Sequence, residues 1–85
     1  MAWKITKNML PGTVSGVRSS LFEKYGDKAT HRFRLYDDDS TLYFEGVSTS
    51  NSSYAPLDDY GMPGYGCTEI RYWEKVGNKW GWYPL

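Results

Sequence analysis

The chain has 85 residues, enough for one domain with a modest hydrophobic core. Ten basic and ten acidic residues cancel to a net charge of zero, and 18% of the residues are aromatic. The charge balance disfavours a nucleic-acid-binding protein, which usually carries a basic excess, and the aromatic content argues against disorder. We therefore expect residues 1–85 to form a single folded domain.

The charges are unevenly distributed along the chain. Residues 1–34 contain seven basic and two acidic side chains (+5), residues 35–70 seven acidic and no basic ones (−7), and residues 71–85 three basic and one acidic (+2). Antiparallel pairing of strands from these segments would bring opposite charges together. We favour charge complementarity within one fold, and an electrostatic docking face is the alternative.

The single cysteine, Cys67, permits no internal disulfide, which favours a reducing compartment. Residues 1–6 lack the apolar core of a signal peptide. No segment approaches the ~20 consecutive apolar residues of a membrane span. We expect a cytoplasmic protein that does not enter a membrane.

The pattern of the first residues of the chain predicts two short strands separated by a turn. Residues 3–7 alternate apolar and polar side chains, which is typical of a half-buried strand. A turn signal at 11–12 separates them from a plausible second strand at 13–19, which Gly16 weakens.

A short helical turn or loop is expected next. Ser20 and Glu23 have the spacing of a capping box, and Gly26 is suited to end one turn. No part of the chain keeps a helical period over three turns, so long helices are not expected.

Residues 31–48 predict a hairpin. Alternation over 31–36 stops at the polar segment 37–40 and resumes over 41–47. A turn centred on Asp38-Asp39 places apolar pairs on one face and polar pairs on the other. The pairs in this register are Leu35 with Leu42, Phe33 with Phe44, Arg34 with Tyr43, and Arg32 with Glu45.

Residues 49–66 show no regular period because of their serines, prolines and glycines. We expect an ordered loop that crosses between the two hairpins and packs on the sheet. Loops of this length are usually functional or mobile.

A second hairpin is predicted for residues 68–76 and 79–85, joined by the two-residue turn Gly77-Asn78. Its register pairs Trp73 with Trp82, Tyr72 with Tyr83, Lys75 with Trp80, and Ile70 with Leu85. One face is expected to join the core: Ile70, Tyr72, Val76, Tyr83 and Leu85. The other face carries three indoles and two cations beside Glu69.

These elements predict an all-β fold. We expect five to six antiparallel strands in a small barrel or strongly curved sheet, with at most one short helical turn.

The residues do not suggest an enzyme. Acyl transfer needs a nucleophile, a base and an orienting group, and the chain has one histidine, His31, and one cysteine, Cys67, in no recognisable motif. The acidic segments 37–39 and 58–59 lack the ligand spacing of a calcium loop. No catalytic residue, metal or cofactor is predicted.

The aromatic residues of the second half are the best candidates for binding. On the second hairpin they accompany cations: Arg71, Trp73, Lys75, Trp80 and Trp82. Residues from the long loop either extend this surface or close the core: Tyr54, Tyr60 and Tyr65. The competing interpretation is that cross-strand aromatic pairs only stabilise the hairpin.

The sequence identifies no specific function. The favoured hypothesis is a small non-enzymatic module that binds a protein partner or itself, because Trp, Tyr and Arg are preferred interface anchors. A homodimer would form either through an edge strand or through the Trp-bearing face of the second hairpin. The alternative is single-stranded nucleic-acid or oligosaccharide binding by Trp stacking.

Two sequence blocks add a resemblance. Residues 33–39, Phe-Arg-Leu-Tyr-Asp-Asp-Asp, and residues 56–61 with 66–70, Pro-Leu-Asp-Asp-Tyr-Gly and Gly-Cys-Thr-Glu-Ile, resemble segments of short uncharacterised bacterial proteins. The resemblance implies a bacterial source and no known activity.

Overall fold

The protein is represented by a computed structural model, which describes residues 1–12 and 16–85. In these residues five strands are present: β1 (Trp3–Asn8), β2 (His31–Tyr36), β3 (Leu42–Ser48), β4 (Glu69–Val76) and β5 (Lys79–Pro84). They form one antiparallel sheet in the order β1-β3-β2-β4-β5. The predicted all-β class is confirmed, and the sheet is open rather than closed into a barrel.

Two short helical segments connect the strands in the described part of the chain. The first is α1 (Phe22–Tyr25) followed by a 3-10 turn (Gly26–Lys28), and it confirms the expected short helical turn. The second is a π-helical turn (Leu57–Gly61) followed by α2 (Met62–Tyr65). The prediction of at most one helical turn is therefore wrong. None of the described helices is long and apolar enough to cross a membrane.

The second helical segment replaces part of the loop expected over 49–66. Its sequence has weak helix propensity, but burial of Leu57 and Gly61 against the sheet compensates for this. Gly66 ends the segment with a φ of 74°, a left-handed conformation that glycine adopts at low cost.

The capping box predicted at the start of α1 does not form. Leu21 occupies the N-cap position, and no side chain caps the helix. Glu23 instead accepts a hydrogen bond from Arg18 Nη2 at 3.2 Å. The carboxylate thus binds a charged donor rather than a backbone N–H.

The first hairpin is present, but its predicted register is wrong by two residues. Arg34 lies opposite Glu45, and Leu35 lies opposite Phe44. Because side chains alternate between faces with a period of two, this shift leaves residues 31–35 and 44–48 on their predicted faces. It changes the partners only.

The turn of this hairpin explains the shift. A register irregularity separates Leu35 from Tyr36, so the connection is longer than a turn centred on Asp38-Asp39. Asp37 Oδ1 accepts hydrogen bonds from the backbone N–H groups of Asp39, at 3.0 Å, and Thr41, at 2.7 Å. Local side-chain bonding by Asp thus selects a different turn.

The second hairpin has the predicted register. Trp73 pairs with Trp82, Tyr72 with Tyr83, and Lys75 with Trp80. The Leu85 N–H donates to the Ile70 carbonyl at 3.1 Å, which extends the same register. Gly77, with a φ of 62°, permits the tight turn.

The two edges of the sheet differ. The predicted first strand is confirmed as β1, but the predicted second strand at 13–19 lies partly outside the described residues. Residues 16–19 bond to the free side of β1, for example through Ile5 N–H to the Val17 carbonyl at 2.7 Å. In the described parts of the chain, no strand pairs with the outer side of β5.

The core lies on one side of the sheet, here called the inner face. Its buried residues come from four strands and the long connection: Trp3, Ile5, Phe33, Leu35, Phe44, Leu57, Cys67, Ile70 and Tyr72. Gly46 is required there because a Cβ at this position would lie 2.3 Å from Phe33 Cζ. The opposite, outer face is left for polar and aromatic side chains.

Candidate binding face

The second hairpin brings its indoles together on the outer face. A two-residue turn makes Val76 and Lys79 a hydrogen-bonded pair, so Trp73 and Trp82 form a non-hydrogen-bonded pair, in which side chains approach most closely. The Trp73 and Trp82 ring centres are 5.3 Å apart, inclined at 53°. Trp80 also stacks on Trp73, with ring centres 6.0 Å apart and planes inclined at 19°. The three indoles form a continuous ladder.

Two arginines from β2 extend the ladder. Arg34 places its guanidinium carbon 4.1 Å from the Trp82 ring centre, and Arg32 lies 5.2 Å from the same ring. Arg32 is also 5.9 Å from the Trp73 ring centre. Both distances to Trp82 fall within the range of cation–π attraction. Arg34 Nε also donates to Glu45 Oε2 at 2.6 Å.

A third cation–aromatic contact lies further along β4. The Arg71 guanidinium carbon is 4.2 Å from the ring centre of Tyr36. Arg71 also binds both carboxylate oxygens of Glu69, at 2.8 and 3.0 Å. The hydrogen bonds from Arg71 hold the pKa of Glu69 below its ordinary value.

We call this surface the tryptophan face, and it consists of Arg32, Arg34, Arg71, Trp73, Lys75, Trp80 and Trp82. Its four cations face two carboxylates, Glu45 and Glu69, so the local balance is positive by two. Trp80 is 60% exposed near the tip of the hairpin, and Lys75, which lies opposite it, is also exposed. The tryptophan face is therefore open to solvent at its outer end. On the inner face, Val76 is 52% exposed and does not join the core as predicted.

Of the loop tyrosines, Tyr60 and Tyr65 lie on the inner face rather than the tryptophan face. Their ring centres are 5.1 and 4.9 Å from that of buried Phe44. Burial is the main cause that raises the pKa of Tyr60, and the neighbouring Tyr65 side chain adds to it. Tyr60 and Tyr65 therefore close the core and do not extend the binding surface, and these were the two roles that the sequence left open for them.

Tyr54 lies near the end of β5. Its side chain is exposed, and its hydroxyl donates to the Leu85 carbonyl at 2.8 Å. This bond attaches the start of the long connection to the last residue of the hairpin. Tyr54 adds no surface to the indole ladder.

The remaining candidate groups have structural surroundings. Cys67 is fully buried, and burial raises its pKa to about 11, which disfavours a nucleophilic thiolate. The carboxylates of Asp37, Asp38 and Asp39 lie within 4.8 Å of one another. Asp37 Oδ1, however, already accepts two backbone hydrogen bonds in the turn. His31 begins β2 and is partly exposed.

Arg32 and Arg34 were not predicted to belong to the binding face. The sequence placed them on the polar side of the first hairpin, next to β3. It contained no signal that β2 also pairs with β4, through Phe33 opposite Tyr72. This contact joins strands separated by more than 30 residues, so only the folded sheet brings the arginines to the indoles.

No protein-family model, curated protein or solved structure matches this chain.

Proposed function

We propose that the chain is a non-enzymatic interaction module that binds a protein partner through the tryptophan face. The observation that carries the proposal is Trp80, which stacks on Trp73 yet remains 60% exposed. Stacking restricts the rotamers of an indole, so less conformational entropy is lost on binding, and Trp and Arg are favoured interface anchors.

Hairpin stabilisation does not account for the whole ladder. The Trp73–Trp82 pair, flanked by Arg32 and Arg34, already provides the close cross-strand contacts. Trp80 stacks on this pair but leaves 60% of its own surface exposed. An exposed indole next to cations is the kind of side chain that interfaces favour as an anchor.

One observation favours a second candidate, single-stranded nucleic-acid or oligosaccharide binding. Arg32 and Arg34 join the indoles, so cations and stacking surfaces alternate as they do in single-strand-binding proteins. The zero net charge of the chain keeps this candidate second. Fluorescence titration with single-stranded oligonucleotides, or with oligosaccharides, tests it. Salt-sensitive quenching by oligonucleotides would favour nucleic acid.

Protein capture with matched variants tests the main proposal. Proteins from a lysate of the source organism are captured on the immobilised chain and on the Trp80→Ser and Tyr25→Ser variants. Tyr25 is also an exposed aromatic residue, but it lies on α1. We expect Trp80→Ser to lose a specific partner that Tyr25→Ser retains. Equal capture by all three proteins would contradict the proposal.

The proposal also keeps two expectations from the sequence. A cytoplasmic location rests on the unpaired Cys67, and a bacterial source rests on the blocks at 33–39 and 56–70.

A further inference from the structure

We propose that the protein partner is a second copy of this chain, joined through an antiparallel pairing of the two β5 strands. The inference rests on the proposed function, because it names the partner of the same surface. Its geometry follows from the free edge of the sheet and from the sequence of β5.

The register of the second hairpin determines which backbone groups are free. Lys79, Gly81, Tyr83 and Leu85 direct their backbone groups towards β4, as the Leu85–Ile70 hydrogen bond illustrates. The N–H and C=O groups of Trp80 and Trp82 therefore point away from the sheet. The next outward position, Pro84, has no N–H, so it limits how far a further strand can pair.

One self-complementary register uses all four of these free groups. Trp80 lies opposite Trp82 of the second copy, Trp82 lies opposite Trp80, and Gly81 lies on the two-fold axis. Each Trp80–Trp82 pair exchanges two backbone hydrogen bonds. Residues opposite each other share a face, so the indole ladders of the two copies meet on one side of a joint sheet.

The side chains suit this register. Gly81 presents no side chain at the axis, where the two strands come closest. Lys79 lies opposite Tyr83 of the second copy, so the two lysines are not opposed. The zero net charge of the chain leaves no overall charge repulsion between copies, although each tryptophan face carries an excess of two positive charges.

The other edge of the sheet explains why the assembly stops at two copies. Residues 16–19 occupy the free side of β1 through backbone bonds to Trp3 and Ile5. The free β5 edges of the two copies pair with each other in a closed two-fold contact, so neither edge remains available. Lys79 and Pro84 stand at the two ends of β5 and restrict pairing to the short segment between them. Lysine and proline commonly limit strand pairing at sheet edges.

Sedimentation velocity tests whether the dimer exists and uses the edge. The wild-type chain is measured from about 1 μM to about 1 mM, a range that covers weak protein association. Trp80→Pro removes the indole and the outward N–H, whereas Trp80→Thr removes the indole alone. We expect a wild-type dimer, and a Kd at least about tenfold higher for Trp80→Pro than for Trp80→Thr because two backbone bonds are lost per dimer.

Disulfide cross-linking tests the register. In Gly81→Cys the two Cα atoms would be about 4.5 Å apart, within disulfide range, whereas in Lys79→Cys they would be about 14 Å apart. With oxidised glutathione as the oxidant, we expect a cross-linked dimer from Gly81→Cys and none from Lys79→Cys. The wild-type chain controls for Cys67, which is buried.

A wild-type chain that stays monomeric up to about 1 mM would overturn the dimer. Equal Kd values for Trp80→Pro and Trp80→Thr, or cross-linking of Lys79→Cys as efficient as that of Gly81→Cys, would overturn the edge geometry. Failure here is distinguishable from failure of the proposed function. A monomer whose Trp80→Ser variant still loses a captured protein has a different partner on the same face.

Discussion

The guanidinium of Arg34 packs 4.1 Å from the centre of the Trp82 ring while its Nε donates to Glu45 at 2.6 Å. One side chain thereby connects β3, β2 and β5, although β2 and β5 do not pair with each other. Arg34 and Glu45 are both mostly buried, at 28% and 19% side-chain exposure, so solvent screens this ion pair only in part. The contact connects the two hairpins across the outer face.

Arg34→Ala should therefore destabilise the fold by roughly 1–2 kcal/mol, through loss of the cation–π contact and the ion pair. Arg18→Ala is the matched control, because Arg18 binds Glu23 in an exposed pair and contacts no aromatic ring among residues 1–12 and 16–85. Its cost should stay below about 0.5 kcal/mol. Urea unfolding of the three proteins measures both values, and equal costs would refute the special role of Arg34.

Gly46→Ala should be severely destabilising. Its Cβ would lie 2.3 Å from both Phe33 Cζ and the Lys4 carbonyl oxygen, and neither the buried ring nor the strand can move freely. We expect a loss of about 3 kcal/mol or more, comparable to the larger overpacking effects. Gly64→Ala meets no atom within 4 Å and should be neutral or stabilising by up to about 1 kcal/mol. Thermal unfolding separates the two, and similar melting temperatures would contradict the packing at Gly46.

The turn at Asp37 should make stability depend on pH under acidic conditions. The backbone hydrogen bond from Thr41, with others from its neighbours, lowers the folded-state pKa of Asp37 below its ordinary 3.8. Between these two pKa values the unfolded chain binds more protons, so stability rises with pH. The contribution is fully present above the unfolded pKa and is lost as the pH falls through the folded pKa.

Urea midpoints measured from about pH 2 to about pH 6, the range in which carboxylates titrate, should show this loss in the wild type. Asp37→Asn should have a flatter profile than the wild type, because it lacks the carboxylate that accepts the turn's hydrogen bonds. Identical slopes in the two proteins would remove Asp37 as the cause.

Cys67 should be unreactive in the folded protein. Its thiol is fully buried, and burial, with the nearby Asp37 charge, raises its pKa to about 11. At pH 8 only roughly one thiol in a thousand would be ionised. A thiol reagent such as DTNB should react slowly until urea unfolds the chain. Lys79→Cys supplies an exposed thiol as the control, and equally fast reaction of Cys67 would show that the core opens readily.

Local patterns in the sequence were sufficient for the second hairpin. The Gly77-Asn78 turn and the alternation around it determine which residues oppose each other, so the Trp73–Trp82 pair was predicted correctly. The faces of the first hairpin were also predictable, because the alternation of side chains has a period of two. Both features depend on neighbours along the chain.

Other features were decided only by the tertiary structure. The Asp37 turn shifted the first hairpin by two residues, and burial of Leu57 turned part of the expected loop into a helical segment. Pairing of β2 with β4 brought Arg34 to the indoles, and packing on Phe44 placed Tyr60 on the opposite side. These outcomes depend on which distant segments share the core, and no local period or turn signal in a single sequence contains that information.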